Sequence, residues 1–174
     1  MVSERIQRLL NEQVNKELFS AYLYLSIEAY LTAQNLPGFA NWFRVQVQEE
    51  RDHALIFFNY IHRIGGRVKL AAIDAPQVEF VSVGEALEKT LEHEKLVTAS
   101  IYGIADAAQE ERDHKTSSFL HWFVDEQVEE EENATNNIAR FELVKDDGRG
   151  ILMMDAEMAA RIYVQAAPLA AGQA

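Results

Sequence analysis

The sequence predicts an all-α fold: a bundle of four long helices with one long crossover and a short fifth helix at its C-terminal end. Apolar residues recur at helical spacing along four separate segments, and no stretch alternates well enough to define a strand. One connection, between the second and third segments, is too long to join neighbouring antiparallel helices.

The first helix is expected to start from Ser3, a capping residue, and to run to Asn35 with Ile6, Leu10, Val14, Leu18, Ala21, Leu25 and Leu31 in phase. Asn35-Leu36-Pro37-Gly38 breaks the pattern. A second helix follows from Phe39 to Ile64 with Phe43, Val47, Phe57 and Ile61 among its apolar positions, and Gly65-Gly66 ends it. Residues 67–82 have no helical period. At about 3.3 Å per extended residue they can span a whole helix, which puts the third helix parallel to the second. Ser82-Val83-Gly84-Glu85 is a capping-box signature opening the third helix, which runs to Arg112 with Leu87, Leu91, Ile101, Ala105 and Ala108 in phase. A polar junction at residues 113–116 leads to a fourth helix, Ser117 to Val144. The bundle thus occupies about residues 3–146 of a single domain, 1–174. After the Asp146-Asp147-Gly148 break a short helix is expected over about 149–165, and Pro168 with the Ala-rich end predicts a loose tail.

A length of 174 residues with 48% apolar content is enough for one sizeable core. Cysteine is absent, which excludes disulfides, thiolate metal sites and a cysteine nucleophile, and fits a reducing cytoplasm. No apolar run resembles a signal peptide or reaches the roughly 18–20 residues of a membrane span, so a cytoplasmic protein without a membrane partner is expected. The net charge of −12 argues against nucleic acid as a partner and would attract cations.

Polar residues interrupt all four apolar stripes. In the first helix Leu10, Glu17, Tyr24 and Leu31 share a face, so Glu17 stands where an apolar residue is expected. The second helix puts Glu50 and His53, three apart, on the face of Phe43, Gln46 and Phe57. The third aligns Glu94 with Leu87, Leu91, Thr98 and Ile101, and the fourth aligns Gln127 and Glu130 with Phe123, Ala134 and Ile138. Each intrusion falls near the midpoint of its helix, and in an antiparallel bundle midpoints meet. A lone Glu-x-x-His is common on solvated helices; four carboxylates converging on one core are not. Buried charges without counter-ions are costly, and no Lys or Arg shares these stripes, so metal cations are the expected neutralisers. One His with several carboxylates suits hard or borderline ions such as iron(II) or manganese.

Across nearly its whole length the chain also resembles the prokaryotic non-haem ferritins. The resemblance is carried by Asn11 to Glu17, Ser20 to Ser26, Glu49 to His53, Gly65-Gly66-Arg67-Val68, Glu92-His93-Glu94 and Phe119 to Glu131. It implies a ferritin-like fold and a dinuclear iron centre that oxidises iron(II) with dioxygen or peroxide. By the resemblance, Glu17, Glu50 and His53 would hold one iron, Glu50 would bridge to a second held by Glu94 and Glu130, and Gln127 would line the site. Tyr24 matches a tyrosine that hydrogen-bonds near the irons. Glu49, Glu126, Glu129 and Glu130 match a third iron position, and Glu126, Glu129 and Glu130 do share one side of their helix. The resemblance further implies iron storage as ferric oxyhydroxide inside a homo-oligomeric shell of 24 subunits, with the fifth helix at a four-fold axis.

Two departures matter. The Glu-x-x-His pair of the second helix is answered in the fourth by Gln127-x-x-Glu130, so the centre is expected to be asymmetric, with one iron weakly held. The haem-ligating Met of bacterioferritins is replaced by Asp52, so no haem is expected. Ser117 and Leu120 take the positions of acidic pore residues, which disfavours an acidic entry route there. Glu110-Glu111-Arg112-Asp113-His114 repeats the Glu-x-x-His spacing, but Glu111 lies about 25 Å along the axis from Glu94 and reads as a polar helix end. Trp122 is expected to pack, with a redox role as the alternative; His62, His93 and His121 are taken as structural, and Met153-Met154 as packing. The rival functions are a rubrerythrin-like di-iron peroxidase that retains its irons and a non-catalytic helical assembly protein.

Overall fold

Ser3 starts the bundle: its hydroxyl accepts a hydrogen bond from the Ile6 amide at 3.1 Å, and α1 then runs over Glu4–Ala33. The computed structural model describes residues 2–172. Asn35 takes the left-handed conformation at φ 57°, and the Leu36 amide returns to the Leu31 carbonyl at 3.1 Å, which closes the end of α1. Next, α2 covers Pro37–Arg63, two residues earlier than expected, because a proline in the first helical turn gives up an N–H that would have no partner there. Gly65, at φ 76°, ends it with Gly66 donating back to the Ile61 carbonyl at 2.8 Å.

Residues 64–82 form the crossover, and no strand occurs among the described residues. Side chains of α1 hold it in register. Asn11 accepts from the Lys69 amide at 2.5 Å, Asn15 donates to the Ala72 carbonyl at 3.2 Å, and Ser26 donates to the Gln77 carbonyl at 2.6 Å. The ascending order on both segments shows that the crossover runs alongside α1 in the same direction. It thereby delivers α3, Val83–Glu110, parallel to α2. Ser82 caps α3 through the Glu85 amide at 3.1 Å. Glu85 reaches back to the Val81 amide rather than to Ser82, so the reciprocal half of the capping box lands one residue early.

Following a three-residue turn, α4 covers His114–Val144. It starts three residues before the expected Ser117, because Asp113 accepts from the Thr116 amide and hydroxyl at 3.2 and 2.7 Å and caps the first turn. The fifth helix also departs from expectation: α5 covers only Gly148–Met158. Its Asp155 carboxylate accepts from the amides of Gly38 and Phe39 at 2.8 and 2.9 Å, so α5 caps the otherwise uncapped start of α2. A side chain on Gly38 would put its Cβ 1.6 Å from the Asp155 carbonyl oxygen, so only glycine permits this approach.

Where the sequence predicts the fifth helix continuing to about residue 165, an extended strap covers residues 161–166, followed by one turn of helix, α6, at Ala167–Ala170. The strap lies along α2. Asn41 donates to the carbonyls of Met158, Ala159 and Arg161, and Asp52 accepts from the Tyr163 hydroxyl at 2.7 Å and the Ala166 amide at 2.9 Å. These contacts reach too far along the chain for local patterning to reveal them.

The apolar core has two parts. Near one end Ile6, Leu10, Phe57, Ile61, Ile104 and Phe123 pack together, with the Phe57 and Phe123 rings stacked at 4.2 Å. Near the other, Ile27, Leu31, Phe39, Phe43, Leu87 and Phe141 pack together and take in Met154 and Met158 of α5. Between the two clusters lies a layer of buried polar side chains. No described helix is long and apolar enough to cross a membrane.

Candidate metal centre

That middle layer gathers residues from all four long helices. Glu17 on α1, Glu50 and His53 on α2, Glu94 on α3, and Gln127 and Glu130 on α4 are all buried. The apolar stripes explain why: each residue follows the phase of core neighbours above and below it, and the backbone carries it inward with them. Glu17, Glu50 and His53 offer ligand atoms that all lie within 4.8 Å of one another. The His53 Nδ1 sits 3.5 Å from a Glu50 oxygen, and its Nε2 sits 3.8 Å from a Glu126 oxygen.

Neighbours hold these carboxylates in place. Gln13 donates to Glu17 Oε1 at 2.8 Å, leaving Glu17 Oε2 buried without a partner. The Tyr24 hydroxyl donates to Glu94 Oε1, and the Gln127 amide donates to Glu94 Oε2 at 3.2 Å and to Thr98 Oγ1 at 3.2 Å. Gln46 donates to Glu130 Oε2 at 2.9 Å, and its own Oε1 has no partner.

Charge is out of balance in this layer. No Lys or Arg is buried among the described residues. Burial, followed by repulsion from Glu130, pushes the Glu94 carboxyl up to about 8 despite its hydrogen bonds from Tyr24 and Gln127. Burial likewise raises Glu17 and Glu130, and lifts Glu50 well above the usual carboxyl range. Burial alone would lower the His53 imidazole, but Glu126, Glu50 and Glu17 outweigh it and hold the ring charged. Tyr24 is driven far up by burial and by the charge of Glu94, so it stays a neutral donor. One imidazolium cannot balance four carboxylates. Orphaned acceptor atoms and carboxyls that burial keeps from ionising, gathered in one oxygen-rich layer, are what a hard divalent cation would satisfy.

A second tier of residues was not singled out from the sequence as site residues. Gln13 stands four residues before Glu17, and this i, i+4 spacing is the signal that could have found it; Gln46 bonds across to Glu130 on α4, and its place on the inward face of α2 is the only local sign of it. Ser100 donates to Gln13 at 2.6 Å and receives from Lys16 at 2.6 Å, forming a chain from the surface to Glu17. His93, expected to be structural, lies 2.7 Å from the Ser20 hydroxyl and edge-on to Tyr24, and burial pushes it down to about 4.

Of the outer acidic residues, Glu49 and Glu126 are half-buried beside the layer and Glu129 is exposed. Burial pushes Glu49 up to about 7 although Arg161 pairs with it at 2.6 Å. Asp52, read from the sequence only as the absence of a Met, is the anchor of the strap. Trp122 meets the His53 ring at 5.5 Å. Glu111 and His114 sit exposed at the α3–α4 turn, away from the centre. Leu120 is a core residue at 1% exposure and cannot line a channel within this chain.

With the geometry established, similarity to known proteins adds an independent line. A family model described as the ferritin-like domain matches residues 7–144. A bacterial non-heme ferritin of Staphylococcus aureus is 36% identical over 163 residues, covering 94% of this chain and 98% of that protein. Its counterpart in Staphylococcus epidermidis is 37% identical over the same length. Among solved structures, the open-pore ferritin of the archaeon Archaeoglobus fulgidus superposes with a TM-score of 0.91 at 43% identity, covering 92% of this chain and 98% of that one. An engineered closed form of the Archaeoglobus ferritin gives 0.93 at 41% identity, covering 94% of this chain and all of the other.

Proposed function

Since the chain belongs to the ferritin-like family, we propose that it stores iron by oxidising it, binding iron(II) in the middle layer as substrate and passing on iron(III). The observation that supports this most is the buried set Glu17, Glu50, His53, Glu94 and Glu130, which has no buried Lys or Arg to balance it. Glu17, Glu50 and His53 take the first iron. Glu50 reaches toward a second, held by Glu94 and Glu130, with Gln127 beside it. The carboxylates neutralise the charge gained on oxidation, and dioxygen or peroxide takes the electrons. Tyr24 keeps its proton and fixes Glu94.

The two halves differ in donor strength. The first has an imidazole and two carboxylates, whereas the second has Gln127 where another imidazole could stand. The second iron is therefore held more weakly and moves on, which suits storage better than a retained di-iron peroxidase centre. Glu49, Glu126 and Glu129, with Glu130, form a third position on the flank. The product accumulates as ferric oxyhydroxide within a shell of 24 copies in the cytoplasm, and no haem is required.

Aerobic addition of iron(II), followed by sizing of the product, tests this reading. A uniform particle of roughly half a megadalton holding far more than three irons per chain is the expected result. Iron uptake that stops at two per chain would favour the peroxidase-like alternative and overturn storage.

A further inference from the structure

The strap that replaces the expected last turns of the fifth helix brings a cation to the flank of the centre. The Arg161 guanidinium pairs with Glu49 at 2.6 Å, stacks 4.5 Å over the Trp42 ring, and donates to the Trp42 carbonyl at 3.3 Å. Its own carbonyl accepts from Asn41 at 3.0 Å, and two residues later Tyr163 ties down to Asp52. Arg161 is therefore held at both ends, and a planar guanidinium clamped over a ring loses little further freedom in facing a carboxylate.

Its partner is not an isolated surface acid. Glu49 is flanked by Glu126 and Glu130, which both raise its charge cost, while Arg161 lowers the cost for Glu49 and Glu130 alike. Glu126 also faces the His53 Nε2 at 3.8 Å. Glu49, Glu126, Glu130 and Arg161 thus form one electrostatic group that touches the middle layer, with Arg161 its only basic side chain among the described residues apart from His53.

We propose that Arg161 is the tethered counter-cation of Glu49 on the flank of the centre, and that a metal ion beyond the first two must displace it from Glu49. This rests on the reading that Glu17, Glu50, His53, Glu94 and Glu130 bind two metal ions. Arg161 is on this account a specificity-determining residue. It leaves the inner pair alone and weakens occupancy of the flank, so an outgoing ion meets a competitor and does not lodge there.

Calorimetric titration of the intact assembly with zinc(II), which cannot be oxidised, tests the proposal in the wild type, Arg161→Gln and Arg161→Lys. The first two zinc ions should bind all three alike. A third should bind Arg161→Gln roughly tenfold more tightly than wild type, an effect between those of an exposed and a buried ion pair. Arg161→Lys keeps the charge but loses the stacked guanidinium, so its third zinc should bind between wild type and Arg161→Gln; a purely structural role for the strap would leave it no closer to wild type than Arg161→Gln. A third ion that binds equally or more weakly in Arg161→Gln, or that binds neither protein, would overturn the proposal. A wild type that binds no zinc at all would instead remove the underlying reading, and this one with it.

Discussion

Glu94→Gln should make the metal-free protein more stable at pH 8 while weakening its metal site. The Glu94 carboxyl titrates near 4.5 when free and near 8 in the folded chain, chiefly because it is buried and Glu130 repels its charge. A raised acid stabilises the folded state fully below pH 4.5, and that contribution is lost as pH rises through about 8. At about 1.4 kcal/mol per pH unit the full span is worth about 5 kcal/mol. Glu130 and Glu17 share the same layer and relax when Glu94 ionises, so about 2–3 kcal/mol is the expected net gain from the amide. For a chain of this size that corresponds to roughly 4–12 °C in Tm. Calorimetric melting of chelator-treated wild type and Glu94→Gln at pH 5, 6, 7 and 8, at one protein concentration, gives the difference directly. Near pH 5 the two should nearly coincide, since Gln resembles the protonated acid, and the gap should widen toward pH 8. Using the difference removes other titrations, including that of His93, which is depressed to about 4 and makes the fold less stable as pH falls from about 6.5. A gap that is constant with pH, or one in which Glu94→Gln is the less stable at pH 8, would refute the electrostatic account of the layer.

Glu50→Gln and His53→Ala should each reduce the initial rate of iron(II) oxidation by at least about a hundredfold, with circular dichroism unchanged; wild-type rates in either would exclude the Glu17–Glu50–His53 site. Gly38→Ala should cost roughly 2–4 kcal/mol, because its Cβ would lie 1.6 Å from the Asp155 carbonyl and α5 must move off the start of α2. Limited proteolysis should then cut near residues 145–165 faster than in wild type. Ser3→Ala removes the cap on Ile6 and should lower stability by about 1 kcal/mol without affecting metal binding, as read by melting and zinc titration.

The bundle and its polar layer were legible for one reason: Glu17, Glu50, Glu94 and Glu130 contradict the apolar pattern around them. A carboxylate in phase with Leu10 and Leu31 is a local anomaly that periodicity exposes. What holds those carboxylates was less visible. Gln13 and Gln46 pass for ordinary polar residues, and only the atoms left without partners, Glu17 Oε2 and Gln46 Oε1, mark how they are arranged. The C-terminal segment was misjudged because residues 159–165 carry no local signal that stops the fifth helix at Met158. Its order comes from partners more than 100 residues away, such as Asp52 for Tyr163 and Glu49 for Arg161. Composition cannot report such contacts.

The division of the core explains how the chain tolerates a layer that opposes folding. Each apolar cluster joins helices from both halves of the sequence: Leu10, Phe57, Ile101 and Phe123 on one side, Leu31, Phe43, Leu87 and Phe141 on the other. Burying one such side chain contributes about 1.5–3 kcal/mol. A handful on each side therefore outweighs the several kcal/mol lost to unbalanced carboxylates between them. The helices cannot separate at the centre without also separating at both ends. The acidic layer is thus held ready for a cation, and binding relieves repulsion that the two clusters had already overcome. A weak metal site would follow if the layer could relax by opening; here it can relax only by taking up protons or metal.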